Sequence, residues 1–204
     1  MTRKAQTTMS AAGPSNETRG IGLMGGSFDP VHLGHIHLAI LAKEALGLDE
    51  VRFIPCCVSP HKQGTAPMSG EDRLELLRLA TEDLPWAAVD DFELGSAGPN
   101  YSYLTAREMV RRFPEARLFW IMGGDQWDAL PRWKHPEILA ELLEFIVLPR
   151  GEMPLPREGY RMHVVQGDHP ASSTEIRANI AEGKSSHPWL HPAVCERLGR
   201  ESNS

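Results

Sequence analysis

Residues 25–35 read Gly-Gly-Ser-Phe-Asp-Pro-Val-His-Leu-Gly-His (GGSFDPVHLGH). The apolar run before them, GIGLM over residues 20–24, has the length and composition of a buried strand. Glycines at the end of a strand let the backbone pass close to a ligand. Asp29-Pro30 sets a rigid turn, and Phe28 is placed to anchor that turn in a core. After the turn, apolar residues at 33, 36, 40, 41 and 45 have helical spacing and predict a helix over Leu33–Leu46. The stretch is therefore a strand–turn–helix junction, with helix N–H groups facing whatever lies beyond the strand.

The same alternation continues outward. Val51–Ile54 reads as a strand stopped by Pro55, followed by a loop holding Pro60, Gly64 and Pro67. Ser69 stands three residues before Asp72, a capping-box-like start for the helix containing LELLRLATED. Ala87–Phe92 is read as a strand, Tyr101–Arg112 as a helix, and Arg117–Met122 as a buried strand ending at Gly123-Gly124. A helix over His135–Leu143 precedes strands at Glu144–Leu148 and Arg161–Gln166. Helices over Ser172–Glu182 and Pro188–Leu198 close the pattern. Strand–helix alternation implies a Rossmann-like, doubly wound parallel α/β sheet with helices on both faces and a small C-terminal helical segment. Ligands of such sheets bind beyond the carboxyl ends of the strands, where GGSFDPVHLGH lies.

The chain has 204 residues, 41% hydrophobic and 24% charged, which fits one domain, placed at residues 20–200. Residues 1–19 are polar, lack an apolar segment and are expected to form a disordered extension; 201–204 are expected to be a frayed tail. A net charge of −6 argues against broad nucleic-acid binding, although it allows a nucleotide in a locally basic cleft. No apolar run reaches the roughly 18 residues of a membrane helix. The three cysteines, Cys56, Cys57 and Cys195, make a poor disulfide framework, so the cytoplasm is the expected compartment.

Two histidines three apart at a helix start admit three readings. They could ligate zinc, but a catalytic zinc needs a third ligand and no H-E-x-x-H is present. They could be ordinary structural histidines. Or imidazole N–H groups and the helix N-terminus could together hold phosphates, with Gly34 giving a ligand room between the rings. Ser172-Ser173-Thr174-Glu175-Ile176-Arg177 offers a second helix start, with capping-box spacing from Ser172 to Glu175 and an Arg fork suited to phosphate oxygens. A plain capped helix with a surface arginine is the alternative there.

The residues from Gly25 to His35 resemble the G-x-F-D-P-x-H-x-G-H signature of the HxGH nucleotidyltransferases. Residues 172–177 resemble the SSTxIR element of the mononucleotide adenylyltransferases within that superfamily. Three further stretches resemble the nicotinate-nucleotide adenylyltransferase family: Ile54–Lys62 (IPCCVSPHK), Pro99–Thr105 (PNYSYLT), and Gly123-Gly124-Asp125 followed by Leu130-Pro131-Arg132-Trp133. Departures are Ser59 for a proline, Cys56-Cys57 for small or amide residues, Ala106 for a leucine, and Lys134 where an aromatic residue often follows the tryptophan.

The resemblance implies adenylyl transfer from ATP to nicotinate mononucleotide, with nicotinamide mononucleotide as the nearest alternative substrate and a non-catalytic nucleotide-binding module as the alternative class. It implies His32, His35, Lys62 and Arg177 as the catalytic set. Gly25, Gly26, Ser27, Phe28, Gly34, Gly123, Asp125, Ser172, Ser173 and Thr174 would contact ATP. Cys56, Tyr101, Ser102 and Trp133 would contact the mononucleotide, Trp133 by stacking on the pyridine ring. Mg²⁺ is expected to arrive with ATP, with no metal site of the protein's own. No nucleic acid or membrane is expected as partner; a homo-oligomer is possible within this reading.

Overall fold

A computed structural model describes residues 18–56, 68–95, 100–182, 184 and 187–201. Six described strands, β1 (Gly20–Gly26), β2 (Glu50–Pro55), β3 (Ala87–Val89), β4 (Arg117–Gly123), β5 (Glu144–Leu148) and β6 (Met162–Val164), form one sheet. Its order is β3-β2-β1-β4-β5-β6, and every neighbouring pair is parallel. The chain winds outward from β1 to β3, then crosses back to lay β4 on the other side of β1. The crevice at that reversal, beyond the carboxyl ends of β1 and β4, is the ligand position of doubly wound sheets.

Helices α1 (Leu33–Leu46), α2 (Gly70–Thr81), α6 (Ser173–Ala181) and α7 (Pro192–Glu201) lie on one face, and α3 (Ser102–Arg112), α4 (Gly124–Ala129) and α5 (Pro136–Leu142) on the other. Alternate residues of β4 show the division. Phe119 and Ile121 pack with Ile36, Leu76, Leu77, Ile176 and Val194. Leu118, Trp120 and Met122 pack with Met109, Trp127 and Leu139. Each fully buried leucine such as Leu77 contributes about 1.5–3 kcal/mol.

The helix ends follow local chemistry. α1 spans the predicted range and stops at Gly47, whose φ of 61° suits glycine. Ser69 Oγ accepts from the Asp72 N–H at 3.0 Å and donates to its carboxylate at 2.6 Å, so α2 is capped as its sequence predicts. Ser172 differs: it stands at the start of α6 but makes no side-chain cap, so the spacing to Glu175 did not produce a capping box.

Other expectations need correction. The third strand ends at Val89 rather than Phe92, because Asp90 is buried as the acceptor for Arg52, Arg112 and the Phe92 N–H. The sixth strand keeps only Met162–Val164 of the predicted Arg161–Gln166. The last helix starts at Pro192, since residues 188–190 form a turn whose Trp189 carbonyl accepts from the Leu33 N–H at 2.7 Å. Arg19, assigned to the extension, instead joins the sheet: its carbonyl accepts from the Arg117 N–H at 2.8 Å, and its guanidinium pairs with Glu50. Residue 201, assigned to the tail, ends α7. The rest of the extension and tail lie outside the described residues. No helix among the described residues is long and apolar enough to cross a membrane.

Candidate active site

A cavity of about 790 Å³ opens at the reversal point, lined by the ends of β1 (Gly25, Gly26), β4 (Met122, Gly123) and β5 (Leu148), and by Cys56 just after β2. The glycine-rich loop contributes Ser27, Phe28, His32 and His35 to its lining. Phe28 is 2% exposed and sits at φ 45°, with its ring edge-on to Phe53 and to His35. The predicted anchor of the turn thus also braces a histidine.

The two imidazoles stack, with centroids 3.7 Å apart and planes 19° apart. His32 is the first residue before α1, and its backbone N–H donates to His35 Nδ1 at 3.2 Å. With Nδ1 accepting, the proton of a neutral His35 belongs on Nε2. His32 is 5% exposed, and its Nδ1 has no hydrogen-bond partner among the described residues. Burial, reinforced by the charges of His169 and Arg150, lowers its pKa from 6.5 to about 4. At neutral pH His32 is therefore an uncharged polar group, suited to hydrogen bonding rather than to neutralising phosphate.

Gly34 does a different job from the one its position suggests. It is buried behind the cavity wall, where an added Cβ would lie 3.0 Å from His32 Nδ1 and 3.1 Å from the Ala171 methyl. Its lack of a side chain gives room to the His32 ring and to Ala171, just before α6.

Arg73, which the sequence did not single out, holds the loop from below. It is 2% exposed and donates to the carbonyls of Ser27 at 2.7 Å, Cys56 at 2.8 Å and Met68 at 3.1 Å. One guanidinium thereby ties the ends of β1 and β2 to the entry of α2. Arg177 is also drawn to the loop, donating to the Asp29 carbonyl at 2.8 Å and to Thr174 Oγ1 at 3.3 Å. It does not line the cavity, and neither do Ser172 and Thr174, whereas Ser173 does. Lys62 lies outside the described residues.

Tyr101 precedes the first turn of α3 and lines the same cavity with Ser102 and Trp133. Trp133 stands edge-on to Trp120 at 6.3 Å. Asp125, in the first turn of α4, also lines it. Glu93, buried, accepts from Thr105 Oγ1 at 2.5 Å; burial raises its pKa and favours the neutral acid. Glu93, Asn100, Arg132, Lys134 and Arg150 were all missed. Arg150 was the most accessible to reasoning, being two residues beyond the carboxyl end of β5.

Residues 23–179 match the model of the cytidylyltransferase-like family. A protein of Exiguobacterium sibiricum is 41% identical over 187 residues, covering 90% of this chain and 97% of its own. One of Thermus thermophilus is 41% identical over 177 residues, covering 85% and 93%. Both carry the name "Probable nicotinate-nucleotide adenylyltransferase". This chain belongs to the nicotinate-nucleotide adenylyltransferase family. Its fold is shared by a Plasmodium falciparum nicotinic acid mononucleotide adenylyltransferase solved in complex with NaAD, with a TM-score of 0.70 at 17% identity over 90% of this chain and 96% of that one.

Proposed function

We propose that the protein transfers the adenylyl group of ATP to nicotinate mononucleotide, releasing pyrophosphate and forming nicotinate adenine dinucleotide. The observation that carries this reading is the stacked His32–His35 pair on the glycine-rich loop, in a cavity that Trp133 also lines. The mononucleotide phosphate is already an anion at neutral pH, so no covalent enzyme intermediate is needed. Its oxygen forms a bond to the α-phosphorus while the bond to the bridging oxygen of the β-phosphate breaks, and pyrophosphate leaves with that electron pair.

Catalysis is then positioning and charge stabilisation. His32 and His35 donate hydrogen bonds to the phosphates, and Arg73 fixes the loop that carries them. Lys62 remains assigned to the phosphates, together with Arg150 in the cavity wall. Arg177 acts on the loop through its bond to Asp29. Asp125 accepts from ribose hydroxyls, Trp133 stacks on the pyridine ring, and backbone amides at Tyr101–Ser102 receive its carboxylate. Mg²⁺ arrives on the triphosphate, keeping most of its waters and needing few protein ligands. That ion would supply charge neutralisation on the phosphate oxygens. The proposal includes a cytoplasmic setting, supported by the odd, partly adjacent cysteines.

The test is product formation by the purified chain with Mg·ATP and nicotinate mononucleotide, read by mass. Nicotinate adenine dinucleotide and pyrophosphate in equal amounts are expected. ATP binding without product would overturn the catalytic reading in favour of a nucleotide-binding module.

A further inference from the structure

Two cations flank Trp133 in the cavity wall, Arg132 and Lys134. The chain carries 27 acidic and 21 basic residues, so a carboxylate partner for each would be unremarkable in number. Yet neither makes a salt bridge among the described residues. The carboxylate nearest in sequence to Lys134, Glu137, is engaged by His135 Nδ1 at 3.1 Å, and the one nearest to Arg132, Asp128, by Arg157 at 3.5 Å. The Glu93 carboxyl in the same cavity is occupied by Thr105.

Lys134 is the more informative of the two. Its Nζ lies 4.3 Å from the centroid of the Tyr101 ring, and Tyr101 itself lines the cavity. An exposed lysine normally keeps its ammonium in water. Here the ring face holds it against the cavity wall. The first turn of α3, which follows Tyr101, contains no acidic residue that would compete for the ammonium.

A pyridine stacked on Trp133 would share its stretch of cavity wall with Lys134 and Tyr101, within reach of its ring substituent. The acid and amide mononucleotides differ only at this substituent, which is an anion in one and neutral in the other. A fixed ammonium there acts on the first by charge and on the second only as a hydrogen-bond donor.

We propose that Lys134, held over the Tyr101 ring, selects the acid form of the pyridine mononucleotide by pairing with its carboxylate. This inference rests on the adenylyl-transfer reading and adds a specificity-determining side chain to it. The selection is electrostatic, so it weakens with salt.

The experiment compares Lys134→Gln and Lys134→Arg with the parent protein. Dissociation constants for nicotinate and nicotinamide mononucleotides are measured by calorimetry at low and high KCl, alongside kcat/KM for both. The acid-to-amide ratio is expected to fall about threefold to fivefold in Lys134→Gln, as for an exposed ion pair, and to return in Lys134→Arg. The parent ratio is expected to fall with KCl while the Gln variant's stays flat. A parent that prefers the acid, with the same preference in Lys134→Gln, overturns this inference and leaves the enzyme reading standing. A parent that binds neither mononucleotide overturns both.

Discussion

Replacing His32 by Asn tests whether burial holds that imidazole neutral. The folded-state pKa is about 4, against 6.5 for an unperturbed histidine. Between those values the unfolded chain takes up a proton that the folded chain refuses. The stability tied to this group is thus full above about pH 6.5 and is lost as pH falls towards 4. A shift of about 2.5 units corresponds to about 3 kcal/mol, of which about 2 kcal/mol is lost by pH 5. Asn does not titrate, so other acid-sensitive groups cancel in the difference between the two proteins. Urea unfolding at pH 7, 6 and 5 should show the parent losing about 2 kcal/mol relative to His32→Asn. Imidazole resonances followed by NMR should show His32 still neutral at pH 5. A constant difference across that range, or a His32 resonance titrating near 6.5, would refute the reasoning and restore a charged His32 at the phosphates.

Arg73→Met should destabilise the fold by about 3 kcal/mol or more in urea unfolding, because three carbonyls at the loop lose their donor in a buried place; a loss under about 1 kcal/mol would show that the carbonyls find other partners. Gly34→Ala should keep the fold but push the His32 ring by a few tenths of an ångström, lowering kcat about tenfold in steady-state assays. Unchanged kcat there would mean that the ring position is not critical.

The order of elements was legible because buried parallel strands and amphipathic helices leave different periods. Ser102–Arg112 shows this, burying Thr105, Ala106 and Met109 on one side and closing on two arginines. Element ends failed where a tertiary contact decided them. Asp90 ends β3 by turning to two arginines distant in sequence, and nothing in its neighbourhood signals that. Ser172 had the spacing of a capping box, yet its side chain makes no cap in the fold.

The loop half of the site was readable as a motif, because its residues are contiguous from Gly25 to His35. The remainder was not, because a cavity wall gathers residues from separate strand ends. Lys134 and Arg150 belong to it through topology alone. Arg177 was readable as a cation at the second helix start, but its bond to the Asp29 carbonyl of the histidine loop was not. Arg73 looked like one charge among many on an amphipathic helix until its three carbonyl partners were seen.

The central claim is that the stacked histidines hold the reacting phosphates, and His35→Ala tests it most directly. Its kcat for nicotinate adenine dinucleotide formation should fall by about 10²–10³, as for removal of a donor from developing charge, with the urea midpoint little changed. A folded His35→Ala protein turning over at near the parent rate would contradict the account.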